Sequence, residues 1–580
     1  MIGRRTFENS YKRPDNNSLL EVLIDMNYEE IPPIFEVLPL SHTALTLSLS
    51  NEKVGLVREY LFEEFCELNF RSFTSWGIKI PLTEIMSYSD SLLKKSLTRL
   101  KDDYSKKAKQ TFKSIDYKDI LSYMKERASS RDSLHHIYKI LKIGMNSPPE
   151  MCDEIFCQLV KQTNNNSKPK SANRAWKLFG ICSGVFGPSG RLRLSLLNHL
   201  VSIEESESVQ IAQRACFCIS RLERTYENGT RLSLPTEQEI KCMKAMKPFP
   251  VKVYTLSGSS MIMLLESFDN ANDLKIAIVQ KLKISVNKFP LFGLYEIFEE
   301  EEYEERYIQE NELIMDLVSS WQAKSPGNFK LLLKIRLFIY QGPKDQILPF
   351  IFMQTAFDVI RGTIVITGKT VVQLAALKLY IEMGKSKILD GYLANNLIYY
   401  IPSAYMKSSQ LSNDELIERI LKKYNQLGEM TKSQSQAKYV EMVSSCPLFG
   451  SCIFYVTFQE ASGNYTLPKD LMLCVSYKQV MIYTRNYRSE LMRLEYSEIS
   501  SWGVSTDRLA LFVAKNGYQV QFLFKTLQGR VITNLMQGYV NLKTSRPVAH
   551  GYDNDPQTRK IGLSRDLAIK FPALAMKLFK

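Results

Sequence analysis

The chain has 580 residues, 45% of them hydrophobic and 23% charged, a composition that excludes a disordered chain and leaves room for about four globular domains. Its formal charge of +14 and pI near 9.0 favour acidic partners, whether protein tails, anionic lipid or nucleic acid. No apolar run reaches membrane-spanning length, because KLLLKIRLFIY is interrupted by Lys334 and Arg336, and MIGRRTFENSYKRPDNN lacks the apolar stretch of a signal peptide.

Residues 1–60 carry mixed signals, with Pro32, Pro33 and Pro39 breaking any long helix. The stretch 94–113, KKSLTRLKDDYSKKAKQTFK, then holds eight Lys/Arg against two Asp. From about 60 to 240 the apolar spacing is helical and no strand alternation interrupts it, so an all-helical domain is expected. Within it, PPEMCDEIFCQLVKQTNNN pairs two cysteines with an Asp-Glu step. On a helix five residues turn a side chain by about 500°, so Cys152 and Cys157 point about 140° apart and cannot share one ion. Cys152, Ile155, Phe156, Leu159 and Val160 instead form a core-facing stripe, with Ser147 as the expected N-cap. The ten scattered cysteines read as reduced cytosolic thiols.

The period changes at Pro248-Phe249-Pro250. VKVYTL, the turn SGSS and MIMLLES predict a hairpin, followed by a helix in NDLKIAIVQKLKI with Asn272 as its cap. FGLYEIF and FKLLLKIRLF are strand-like, and the acidic FEEEEYEER between them reads as a solvated hairpin or loop. This order suggests a ubiquitin-like roll. Residues 345–440 return to helices. From 449, IFYVTF, LMLCVS, QVMIYT, LMRLEY, ISSWGVS, RLALFVA and YQVQFLF predict seven strands, closed by the amphipathic helix LQGRVITNLMQGYVNL. That is the order of a pleckstrin-homology-like sandwich.

One motif resembles a catalytic signature and fails on spacing. GTIVITGKT puts five residues between Gly362 and Gly368 where a phosphate-binding loop has four, so a turn before a helix capped near Thr370 is the plainer reading. The five histidines show no zinc-protease spacing and no G-x-S-x-G elbow is present. No catalytic residue, metal ligand or cofactor site is assigned, and the chain is expected not to be an enzyme.

CDEIFCQLVKQTNNN and NRAWKLFGICSGVFGPSGRLR resemble the myosin-tail-homology domain of unconventional myosins, and LLKKSLTRL resembles an early helix of that domain. FDVIRGTIVITGKTVVQLAALKLYIEMG resembles the second lobe of a FERM module. The resemblance, to a class VII-like myosin tail, covers about 60 to 545. It implies a multidomain chain: an all-α helical domain, then a three-lobed FERM module made of a ubiquitin-like α+β roll, an α-helical bundle and a pleckstrin-homology-like β-sandwich with a C-terminal helix. The expected boundaries are an N-terminal extension at 1–60, the helical domain at 61–247, FERM lobes at 248–343, 344–444 and 445–545, and a tail at 546–580.

The family resemblance implies a cargo-binding, autoregulatory tail that links actin-based transport to peptide segments of membrane, adhesion or cytoskeletal proteins. Implied partners include tubulin's acidic tails, actin filaments, the myosin's own motor domain and anionic lipid, with no nucleic acid. The implied location is the cytoplasm, cytoskeleton and cell cortex, filopodia included. The alternative is a free-standing FERM-type membrane-cortex adaptor recruited by phosphoinositides and receptor tails. Candidate residues for an acidic filament are Lys94, Lys95, Arg99, Lys101, Lys106, Lys107 and Lys109, extended by Lys168 and Lys170; for any single lysine a solvated surface is the plainer reading. Candidates for a peptide groove on the third lobe are Trp502 and Val504 on its strand, with Leu535, Met536 and Tyr539 on its helix, set against the reading that all of them face the core. The terminal LSRDLAIKFPALAMKLFK reads equally as a basic amphipathic membrane-surface helix or as a segment docked on the FERM module.

Overall fold

The computed structural model describes residues 60–75, 78–93, 95–99, 116–206, 208–299, 303–324, 328–366, 368–385, 391–462, 465–485, 489–515, 517–544 and 569–571. The N-terminal extension expected at 1–60 therefore lies almost wholly outside the described residues.

The helical domain comprises α1 (Phe62–Asn69), a short hairpin of β1 (Thr74–Ser75) and β2 (Ile78–Lys79), α2 (Leu82–Ile85), α3 (Asp116–Met124), α4 (Ser133–Asn146), α5 (Pro149–Thr163), α6 (Pro169–Ser183), α7 (Gly190–Ser206), α8 (Val209–Asn228) and α9 (Glu237–Lys244). The domain is helical as expected, with this one small hairpin added; two-residue strands are too short to leave an alternation in the sequence. Helix α5 is buried on every side from Met151 to Gln162, so it is the central helix of the domain rather than an amphipathic surface helix with one stripe. It starts with Pro149 at its first position, whereas Ser147 ends α4, its N–H bonding Ile143 O rather than capping α5. Helix α4 fits close to the turn after α6 because residue 144 is glycine: a Cβ there would lie 2.2 Å from a ring carbon of Phe186.

The first lobe contains β3 (Phe249–Thr255), β4 (Ser260–Leu265), α10 (Ala271–Lys281), β5 (Phe292–Glu299), β6 (Tyr303–Tyr307), α11 (Ile314–Lys324) and β7 (Phe329–Ile335). Its strands run β6-β5-β7-β3-β4, with β3 and β7 parallel and the rest antiparallel, the arrangement of a ubiquitin-like roll. Helix α10 is capped by Asn270 in a reciprocal capping box with Asp273, not by Asn272. The second lobe is the bundle α12 (Leu348–Arg361), α13 (Lys369–Met383), α14 (Tyr392–Asn396), α15 (Ser403–Ser408), α16 (Asn413–Asn425) and α17 (Lys432–Ser444). The false phosphate loop is the turn between α12 and α13, where Gly362 and Gly368 take φ of +77° and +60°.

In the third lobe β8 (Cys452–Ala461), β9 (Asp470–Val475), β10 (Gln479–Thr484), β11 (Glu490–Glu495), β12 (Ile499–Val504), β13 (Arg508–Lys515) and β14 (Tyr518–Lys525) form one antiparallel sheet in the order β11-β10-β9-β8-β14-β13-β12, closed by α18 (Gly529–Thr544). From the tail, β15 (Ile569–Phe571) pairs with β6 and becomes the edge of the first-lobe sheet. This corrects the helical reading of those three residues; Pro572 follows at once and has no N–H to continue either a helix or a ladder.

One apolar core runs through all three lobes, joining Leu337 and Phe338 to Phe352, Tyr439, Leu535 and Tyr539. The helical domain has a separate core. The seam between them is polar. Arg231, fully buried, bonds Asp316 through Nε at 2.6 Å, Glu239 through Nη1 at 2.5 Å and Met315 O through Nη2 at 2.9 Å. Asp316 also accepts the Leu232 and Ser233 N–H groups. Arg221 bonds Gly180 O and Ser267 Oγ and pairs with Glu266, while Arg224 meets Asp273 at 2.8 Å. Burial pushes the Arg231 guanidinium down, but its two carboxylates outweigh burial and hold it well above its ordinary value.

Arg231→Ala strands two buried carboxylates and is expected to cost about 3–5 kcal/mol, read as a fall in the thermal unfolding midpoint. The triple change Arg231→Met, Glu239→Gln, Asp316→Asn should recover much of that loss. Asp269, in the same seam, has its carboxyl pushed up to about 7 by burial and by neighbouring Asp273, against the Glu266 N–H and Arg224. The folded state therefore holds this proton where the unfolded chain has released it, so the contribution to stability is full near pH 4 and is lost as pH rises toward 7. Asp269→Asn should flatten that slope in a series of denaturant titrations across this range.

Candidate functional site

The basic stretch is described only at its base. Lys94, Lys101, Lys106, Lys107 and Lys109 lie outside the described residues, while Lys95 and Arg99 are exposed. Their backbone is held firmly. The fully buried Glu154 of α5 accepts the N–H groups of Leu97 at 2.8 Å and Thr98 at 2.7 Å, the Thr98 hydroxyl at 2.6 Å and the Gln158 amide at 2.8 Å. Burial raises the Glu154 carboxyl against these four donors. Phe70 and Thr98 form an antiparallel bridge, and Arg99 spends its Nε on Phe70 O at 2.8 Å.

The other half of the Asp-Glu step works in the same way. Asp153 accepts the N–H and the hydroxyl of Ser189, both at 2.7 Å, and so anchors the turn before α7. Cys152 donates to Gly144 O at 3.2 Å, Cys157 is buried, and all ten thiols are free. Burial lifts Cys152 to about 12, which leaves it an inert thiol. Among the described residues no cluster of His, Cys, Asp or Glu is placed to hold a metal ion.

Lys168 and Lys170 differ from each other. Lys168 lies 2.7 Å from Glu126 and 3.2 Å from Asp90, and 5.4 Å over the Tyr88 ring, so its charge is already matched. Lys170, at the start of α6, is exposed.

On the third lobe the groove candidates divide. Strand β12 is an edge strand, with Trp502 half-buried and Val504 40% exposed. Leu535, Met536 and Tyr539 are buried and are corrected from groove to core. Leu535 lines the junction of the three lobes, and the Tyr539 hydroxyl accepts the Phe338 N–H at 3.1 Å. Helix α18 also lies hard against β12: a Cβ on Gly529 would be 2.5 Å from Val504 Cγ2. Little space is left for a peptide at that end.

Two concavities lie elsewhere. At the lobe junction a cavity of about 80 Å³ is lined by Tyr307, Lys334, Arg336, Asp358, Ser451 and Cys452. Arg336 lies 4.0 Å over the Tyr307 ring and donates to its hydroxyl at 2.8 Å. The volume suits a few ordered waters and not a peptide. Between the first and second lobes a cleft of about 830 Å³ is walled by Phe352, Met353, Phe357, Tyr392, Tyr400 and Lys432. Sequence reasoning missed this cleft, because its walls come from helices whose apolar residues read equally well as core.

Family models match in series along the chain: the MyTH4 domain at 137–242, the RA like domain at 247–337, the FERM central domain at 343–454 and the PTB domain (IRS-1 type) at 455–544. Myosin-VIIa of Drosophila melanogaster is 24% identical over 480 residues, covering 79% of this chain and 21% of that protein. Unconventional myosin-VIIb of Mus musculus is 32% identical over 155 residues, covering 26% of this chain and 7% of the mouse protein. The chain thus spans about a fifth or less of these two relatives. Among solved structures, the MF1 MyTH4-FERM domain of Dictyostelium discoideum myosin VII superposes with a TM-score of 0.66 at 20% identity, covering 84% of this chain and 98% of that one. The C-terminal MyTH4-FERM domain of human myosin 7b, solved in complex with the harmonin-a PDZ3 domain, gives 0.62 at 19% identity, covering 83% and 97%. The fold is shared and the parts come in the same order: the chain carries a MyTH4 domain match followed by matches along a FERM module, with myosin VII MyTH4-FERM tails among its homologues and structural neighbours.

Proposed function

We propose that this chain is a non-enzymatic cargo-binding tail of an unconventional myosin. The observation that carries the reading is the unbroken series of MyTH4 and FERM matches from 137 to 544, built on one framework with a continuous three-lobe core. The module takes peptide or small-domain partners of adhesion and cytoskeletal proteins, as the human myosin 7b module takes a PDZ domain. It acts in the cytoplasm at the cytoskeleton and cell cortex, filopodia included, and folds back on its motor domain to hold it inactive.

The basic stretch from Lys94 to Lys109 binds the acidic tails of tubulin, together with the exposed Lys170; Lys168, matched by Glu126 and Asp90, contributes little. Such tails are flexible and need a positive surface rather than a shaped pocket. Exposed charges are screened beyond about 8–10 Å at physiological salt, so binding of this kind weakens steeply as salt rises.

Co-sedimentation of the purified chain with intact microtubules, and with microtubules stripped of their acidic tails, tests the filament site. Salt-sensitive pelleting that is lost on stripping, and lost again on charge reversal at Lys94, Lys95, Lys106 and Lys107, is the expected result. Absence of pelleting at low salt would remove the filament site. Glu154→Gln turns an amide toward two N–H donors and is expected to cost about 1–3 kcal/mol locally. It should speed amide exchange at residues 95–99 and weaken pelleting several-fold without unfolding the domain.

A further inference from the structure

The first-lobe sheet has two edges, and they are treated differently. At one edge is β4. At the other, β6 would end the sheet, but the chain returns from its tail and lays β15 antiparallel along it. The register sets Ile569 opposite Glu305, Lys570 opposite Glu304 and Phe571 opposite Tyr303. An open edge presents unpaired N–H and C=O groups and is a template for another strand.

The sequences around the two paired strands carry opposite charge. Residues 299–305 read EEEEYEE, six glutamates at and beside the β5–β6 connection. Residues 559–580 hold Arg559, Lys560, Arg565, Lys570, Lys577 and Lys580 against the single acid Asp566. Strand identity comes from backbone pairing, and selection between candidate strands comes from this charge difference.

The pairing is also brief. Three residues followed by Pro572 give at most a few ladder bonds, each contributing about 0.5–1.5 kcal/mol net, and so short an added strand is marginal alone. The strand belongs to the same chain, joined covalently to α18 through residues 545–568, so it pairs as an intramolecular partner at an effective concentration on the order of millimolar. A contact of that strength closes the edge at rest and gives way to a competing strand of modest affinity.

We propose that the β6 edge of the first lobe is a docking site for short extended segments that combine basic and apolar residues, and that the chain's own Ile569–Phe571 is its resident occupant, a displaceable latch. The site is separate from the basic stretch of the helical domain and does not depend on which cargo the module carries. It selects a basic strand, where the filament surface selects an acidic tail.

The test compares the full chain with the double variant Ile569→Pro, Lys570→Pro, which removes two successive strand N–H groups so that one facing β6 is lost in either pairing phase. Amide hydrogen exchange at residues 303–307 should rise at least tenfold in the variant while exchange in β3 stays unchanged. A fluorescein-labelled peptide of residues 559–580 should bind the variant at least tenfold more tightly than the unaltered chain, more weakly as salt rises, and lose binding when the peptide carries the same two prolines. Equal exchange at β6 in both chains, or equal peptide affinity for both, overturns the proposal. If the proline variant is loosened throughout the first lobe, charge reversal at Glu300, Glu301 and Glu302 leaves the tail intact and decides the matter: faster exchange confined to β6 supports the latch, and no change rejects it.

Discussion

A single buried charge sets the geometry of the whole tandem. Arg231 leaves the helical domain's side of the seam and ends between Glu239, from its own domain, and Asp316, from the first lobe. The apolar cores on either side do not merge, so oily burial alone does not fix the angle at which the two parts meet. A guanidinium with carboxylates on two sides does, because any other angle leaves a buried charge unmatched. Arg221 and Arg224, on helix α8 just before it, pair with Glu266 and Asp273 of the first lobe, and Asn228 adds bonds to Phe268 O and Asp273. Surfaces on the helical domain and on the FERM lobes are thereby held in one frame.

The architecture was legible where one period dominates. The third lobe alternates with period two, and each of its seven strands is found where the alternation puts it. The first lobe's hairpin, helix and later strands follow in the expected order. What the sequence hid was the use of polar residues inside. Asp153 and Glu154 sit in a helix read by its apolar spacing, yet both are buried and each ties down a loop from far along the chain. Arg231 lies just past a helix end in a stretch with no unusual composition. Nothing in a linear pattern separates an arginine that will be buried from one that will be solvated, because the difference lies in which carboxylates the fold brings to it.

The third-lobe candidates were ambiguous in the sequence for a related reason. An amphipathic helix has one apolar face, and that face serves equally for closing a core or for lining a groove. In α18 it closes the core, burying Leu535, Met536 and Tyr539, and of the five residues only Val504 on the facing strand stays exposed. Lys168 illustrates the same limit for charge. By composition it extends a basic patch; in the fold it is already matched by Glu126 and Asp90.

The Tyr539 hydroxyl has a mechanical meaning. It takes the Phe338 N–H from the segment that joins the first lobe to the second, while Leu337 fills the space beside Gly538 and Phe338 packs edge-on against Phe449 at 5.2 Å. The connector is therefore clasped by the third lobe rather than strung between its neighbours. A steady pull applied to anything held by the third lobe is shared at once by all three lobes, as in a braced joint.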